Sequence, residues 1–203
     1  MPGWSAFDRF TVPPWCKEIM IGDARHEFII WNKAYRHLTA PALIARCIDT
    51  LDERAADTLL ALYGITPDLS PQDTFYAIEK LCTDGMYLAV NDDAMRAHPG
   101  FFAYHFDEPS PYDTDWIGLA HQSLENIFIW STLRDTLPPV QQAQSRRIAG
   151  LWLRFAGGGE PWERFGSREQ IMLFGPNGKA EVRTAEEDAA GGMPGGRSSA
   201  ERG

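Results

Sequence analysis

Apolar residues recur along this chain with two distinct patterns. Three short runs, Ile19-Met20-Ile21, Phe101-Phe102-Ala103-Tyr104-His105-Phe106 and Ile171-Met172-Leu173-Phe174, are apolar at nearly every position, as strands buried on both faces are. Between the first two, apolar positions return at helical spacing and predict helices over residues 28–35, 41–48, 51–63, 73–82 and 86–97. The punctuation agrees. Asp52-Glu53 suits the positive end of a helix dipole, Gly64 suits a stop, residues 67–71 form a turn, and Pro99-Gly100 closes the stretch. After the second strand a loop over 107–112 leads to helices over 124–137 and 140–156, parted by Pro138-Pro139. The second of these puts Ile148, Leu151, Trp152 and Phe155 on one face and stops at Gly157-Gly158-Gly159. Pro176-Asn177-Gly178 turns the last strand. The alternation of strand and helix predicts an α/β fold with a helical insert over about 28–98.

The two ends differ from this body. Residues 1–15 are rich in Pro and aromatics without a period and read as an irregular lead-in. Beyond Thr184 the composition falls to Ala, Gly, Glu and Ser, so 185–203 is expected to be a disordered tail and 1–184 a single domain. No internal repeat is present.

Composition narrows the function classes. With 203 residues, 44% hydrophobic and 23% charged, the chain is long enough for one domain with a substantial core. A net charge of −9 and the lack of a Lys/Arg stripe argue against a nucleic-acid partner. The amino end lacks the positive-then-apolar run of a secretory signal and no stretch reaches membrane-spanning length, which favours a cytoplasmic chain without a membrane span. Cys16, Cys47 and Cys82 are an odd, sparse set that suits reduced thiols, with one bridge left open.

The candidate chemistry lies in two segments. Gly22-Asp23-Ala24-Arg25-His26-Glu27 follows the first strand, and Gly118-Leu119-Ala120-His121-Gln122-Ser123-Leu124-Glu125 leads into a helix. The carboxyl ends of strands in an open α/β sheet are where catalytic groups collect. Glu27 precedes His121 by 94 residues (121 − 27), the order in which α/β-hydrolases place the acid and histidine of their triad. Their serine precedes both, on a G-x-S-x-G turn. No such pattern occurs here; Phe165-Gly166-Ser167-Arg168-Glu169 has the wrong flanks and follows the histidine, and an HGGG-type oxyanion loop is absent. Taken alone, Glu27 reads equally as a loop or helix-start carboxylate and His121 as an ordinary loop histidine.

Other features read as structural. His26 beside Glu27 lacks a third ligand and an H-E-x-x-H pattern, so no metal is expected. His37, His98 and His105 are scattered and structural, while Trp15, Trp31, Trp116 and Trp130 are expected in the core or lining a pocket. The triple glycine follows a helix, opposite to the geometry phosphate needs.

Four landmarks in order resemble the type-B carboxylesterases, the cholinesterase-like branch of the α/β-hydrolases. Ile19–Glu27 resembles the strand and loop carrying that family's catalytic acid, Phe102-Ala103-Tyr104-His105-Phe106-Asp107 its Y-x-F-D strand, Gly118–Trp130 its histidine loop, and Ala149–Ala156 with Gly159-Glu160-Pro161 its last helix. The resemblance covers most of residues 13–183. It implies the carboxyl-terminal part of an α/β-hydrolase sheet, with the half that bears the nucleophile absent. It also implies carboxylic ester hydrolysis, with Glu27 orienting His121, no cofactor, and a small-molecule ester as substrate once the missing half completes the site. Two departures stand out. Phe28 occupies the place of the usual Gly after the acid, and His121 is four residues before Glu125, where the common spacing of three falls on Gln122. A fragment, one half of a split enzyme, and a pseudoenzyme or esterase-like binding module all stay open.

Overall fold

A computed structural model of the protein describes residues 15–192. The lead-in and the end of the expected tail lie outside the described residues. Four strands, β1 (Met20–Ala24), β2 (Phe102–Phe106), β3 (Gln170–Gly175) and β4 (Lys179–Thr184), form one open sheet in the order β1-β2-β3-β4. β1 and β2 are parallel, as are β2 and β3, while β3 and β4 form an antiparallel hairpin. Asn177, at φ 62°, and Gly178, at φ 76°, supply the left-handed residues of that hairpin turn.

Side-chain alternation along the strands builds two buried faces. Ala24, Phe102, Phe106, Met172 and Phe174 point one way, onto the helices α5 (Glu125–Trp130) and α6 (Pro139–Ala156), where Phe128, Ile148 and Trp162 complete the main core. Ala103 and the flanking Ile21 and Ile171 point the other way, toward Phe165 and Met95 of α4 (Ala89–Ala97). Gly22 lies opposite Tyr104 in the ladder, and a Cβ there would overlap the Tyr104 ring. The glycine that reads in sequence as the close of the strand is thus a site of close approach within it.

The insert folds around its own core. α1 (Ala40–Thr50), α2 (Glu53–Leu62) and α3 (Pro71–Thr83) enclose Phe28, Leu43, Cys47, Ala56, Leu60, Ile65 and Ile78. Each helix begins at a side-chain cap: Thr39 accepts from Ala42 N, Asp52 from Ala55 N at 2.9 Å, and Ser70 from Asp73 N at 3.1 Å. Gly64, at φ 61°, follows the end of α2.

Several expectations are corrected. Residues 28–35 form turns and a single 3-10 turn, Asn32–Tyr35, closed by short-range bonds such as Trp31 N to Phe28 O at 3.0 Å, while Phe28 is held to α3 through the Thr83 hydroxyl. The helices expected over 73–82 and 86–97 run into one another through a π-helical turn, Asp84–Leu88. The helix expected over 124–137 ends at Trp130. Ser131 is left-handed there, and Ser145 of α6 donates to the Phe128 carbonyl that a continuing helix would have used. β4 was not legible as a strand. The expected tail begins with a helix, α7 (Ala185–Gly192), which packs on β3 and β4. Thr184 and Glu187 start it with a reciprocal capping box: Glu187 N donates to Thr184 Oγ1 at 3.2 Å and Thr184 N to Glu187 Oε2 at 2.9 Å.

The three cysteines are free. Among the described residues no helix is long and apolar enough to cross a membrane, and no His/Cys/Asp/Glu group is arranged to hold a metal ion.

Candidate active site

The acid and histidine segments leave the sheet side by side. β1 and β2 are neighbouring parallel strands, so the chain following each emerges at the same edge. Beyond Ala24 the pairing continues: Arg25 N donates to Phe106 O at 3.1 Å, and His26 N donates to Ala120 O at 2.9 Å within a one-residue parallel bridge between His26 and His121. Glu27 therefore follows directly on a backbone bridge whose other member is His121.

Their side chains are engaged separately. Glu27 is 8% exposed and accepts a hydrogen bond from Ala24 N at 2.7 Å. His121 is half-buried, and its Nδ1 lies 2.9 Å from the Gln122 carbonyl oxygen. A carbonyl only accepts, so Nδ1 carries a proton, and in the neutral form of such a ring the lone pair is on Nε2. Among the described residues no hydrogen bond joins Glu27 to His121. Gln122, at the alternative register position, accepts from the indole N–H of Trp31.

Burial pushes the Glu27 carboxyl up to about 7. The hydrogen bond from Ala24 opposes that shift, and the nearby Glu125 and Asp23 carboxylates add to it. Glu125, in the first turn of α5, is itself raised by burial and has a buried Oε2 without a hydrogen-bond partner among the described residues. The acid loop is held from the insert. Thr83 Oγ1 accepts from Phe28 N at 3.0 Å and donates to Glu79 Oε1 at 2.8 Å, and Glu79 Oε2 lies 3.4 Å from His26 Nδ1. The residues on both sides of Glu27 are thus anchored to one turn of α3. Phe28, in place of the usual glycine, puts its ring into the core of the insert.

A buried ionic cluster on the α4 side of the sheet was not foreseen. His105 stands opposite Asp23 in the β1–β2 ladder, with Nδ1 bonded to Asp23 and Nε2 3.2 Å from Asp107 Oδ1. Arg25 pairs with the other Asp107 oxygen, and Asn91 Nδ2 donates to Asp23 Oδ2 at 3.0 Å. Burial works against a charge on His105, but the Asp107 and Asp23 carboxylates beside its two ring nitrogens outweigh burial and raise its pKa strongly. Burial likewise works against the Asp107 charge, but His105 and Arg25 hold its carboxyl well below the usual range. His105 is structural, as the sequence suggests, yet it is a charged partner of two carboxylates. The available signal was that Asp23 and His105 each occupy the next-to-last position of their strands.

A cavity of about 430 Å³ opens beside His121, between the loop after β2 and α5. Trp116 lines it, as expected of a pocket aromatic. Trp15, Trp31 and Trp130 depart from that expectation, at 81%, 56% and 71% exposed. Ser167 lies at the opposite, amino-terminal end of the parallel strands, where Gly166 N donates to the carbonyl of Pro99, ahead of β2. The chain order that excluded it as a nucleophile is matched by its position.

No protein-family model matches this chain, and no curated protein does. Solved structures do match. A PNB esterase aligns at 17% identity and TM-score 0.58 over 85% of this chain and 37% of its own. A Geobacillus stearothermophilus carboxylesterase aligns at 16% identity and TM-score 0.62 over 85% of this chain and 40% of its own. An esterase from Clostridium hathewayi, described as able to hydrolyse aliphatic aromatic polyesters, aligns at 17% and TM-score 0.52 over 85% and 36%. At such identities the likeness speaks for the fold: a mixed α/β chain with an open four-stranded sheet, similar to part of the esterase fold and spanning about two fifths of those structures' length.

Proposed function

We propose that this chain carries the acid and histidine of a serine carboxylesterase site, with Glu27 orienting His121. The nucleophile and oxyanion hole come from residues outside these 203. The observation that carries the reading is the His26–His121 bridge at the carboxyl edge of β1 and β2. In the completed site the serine attacks the ester carbonyl, and Nε2 of a neutral His121 takes its proton. The Nδ1 proton, now donated to Gln122 O, is the one Glu27 would have to accept, so the reading requires the His121 ring to turn away from Gln122 toward Glu27. An imidazolium forming there would draw Glu27 toward its ionised form, against the burial that now raises it. Alone, the 203 residues are expected to hydrolyse no ester.

A second reading, an esterase-like binding module, is favoured by the same side chains as they stand. Glu27 and His121 are each satisfied locally, and no G-x-S-x-G is present. The deciding experiment is labelling with a fluorophosphonate probe, which captures activated serines. It is applied to the purified chain and to the product of its gene read together with the coding sequence upstream. Labelling only of the longer product, slowed by Glu27→Gln and by His121→Ala, supports the esterase reading. No labelling of either favours the binding module.

A further inference from the structure

We infer that the cavity beside His121 is a binding site for an uncharged, apolar group of aryl size. Naming that group as one arm of an ester rests on the preceding proposal; the binding itself does not. Most polar side-chain atoms of the lining already have a partner within the protein. Ser110 Oγ accepts from Tyr112 N at 3.4 Å, Thr114 Oγ1 accepts from Trp116 N at 3.2 Å, and the Tyr112 hydroxyl bonds Thr136 Oγ1 at 3.0 Å. His121 has one ring nitrogen committed to Gln122 O.

The charged groups face solvent at the rim. Asp115 pairs with Lys33 at 3.3 Å and with Arg36 at 3.4 Å, and all three side chains are between 45% and 59% exposed. The same two cations lie over Trp116, at 5.4 and 5.7 Å from its ring centroid, and brace it from the side of the insert. In water these charges are screened and satisfied by one another.

What remains for a ligand is apolar: the rings of Trp116 and Tyr112 and the side chains of Leu124, Ile127 and Leu133. A carboxylate or ammonium entering there would give up its water for at most a neutral hydrogen bond, at His121 Nε2 or a hydroxyl, and would lack a buried counter-charge. A volume of about 430 Å³ falls within the range of small-molecule sites and exceeds a single aromatic ring.

The test uses three ligands of one shape on the purified chain: 4-tert-butylbenzyl alcohol, 4-tert-butylbenzoate and 4-tert-butylbenzylammonium. Binding is followed by NMR at the Trp116 indole N–H and the His121 ring. The alcohol is expected to shift both signals and to bind at least about ten-fold more tightly than either ion. Leu133→Lys, at a side chain already 47% exposed, should weaken the alcohol by about ten-fold with an unchanged Tm. Equal or tighter binding of an ion overturns the inference, as does alcohol binding that Leu133→Lys leaves intact. Failure of the alcohol to bind while the longer gene product labels with fluorophosphonate would sink the pocket and spare the esterase. Binding without labelling would do the reverse.

Discussion

Replacing Glu27 with Gln should stabilise the protein at alkaline pH and leave it nearly unchanged in acid. The amide oxygen introduced by Glu27→Gln can accept the Ala24 N–H as the carboxylate does, so the substitution removes a titration and little else. The native carboxyl titrates at about 7 against 4.5 for the free group. Between those values the folded protein holds a proton that the unfolded chain has released. Raising the pH therefore favours unfolding, and the cost grows from pH 4.5 until Glu27 is ionised above pH 7. At about 1.4 kcal/mol per pH unit the full difference is about 3 kcal/mol, reduced by whatever water relaxes around the ion. For a domain of this size that is on the order of 6–12 °C in Tm. The assay is thermal unfolding of both proteins between pH 4 and 9, read as the difference in Tm. A gap that opens as pH rises from 5 to 8 supports the buried, uncompensated carboxyl. A gap constant with pH, or a Glu27→Gln protein less stable at pH 8, would refute it and imply that a cation already pairs with Glu27.

Three further changes test the scaffold under the site, each by denaturant or thermal unfolding. Gly22→Ala drives a methyl into the Tyr104 ring and should cost about 1–3 kcal/mol; no loss would mean that the ring moves aside freely. His105→Gln strips the buried charge from between Asp23 and Asp107 and should cost about 3–5 kcal/mol at neutral pH. That cost should shrink in acid: Asp107, held low by its partners, contributes stability only while ionised, and that contribution is lost as falling pH protonates it. A cost that stays constant down to pH 3 would count against the ionic cluster. Thr83→Val keeps the shape but leaves Phe28 N and Glu79 without their shared hydroxyl, a loss of about 1–3 kcal/mol. Amide exchange at Phe28 should accelerate at the same time; unchanged exchange would show that the acid loop is anchored elsewhere.

Sequence by itself determined the elements whose signal is local. The three buried runs became β1, β2 and β3 because strands covered on both faces must be apolar throughout. The caps at Thr39, Asp52 and Ser70 could begin helices because the donors they satisfy lie within three residues. The same locality makes Thr184-Ala185-Glu186-Glu187 a helix start that low-complexity composition concealed. The neighbourhood of Glu27 and His121 followed from two segments read as ends of successive strands. Tertiary structure decided the rest. Ser145, in the second turn of α6, ended α5 by taking the Phe128 carbonyl, and no local pattern near residue 131 carries that information. Thr83 likewise holds Phe28 N across a sequence separation of 55. Much of the electrostatics around Glu27 depends on pairs separated by dozens of residues: His105 against Asp23, and Glu27 raised by burial and by Glu125. Periodicity tells which face a side chain takes, but a charge is set by the groups that packing brings within a few ångströms.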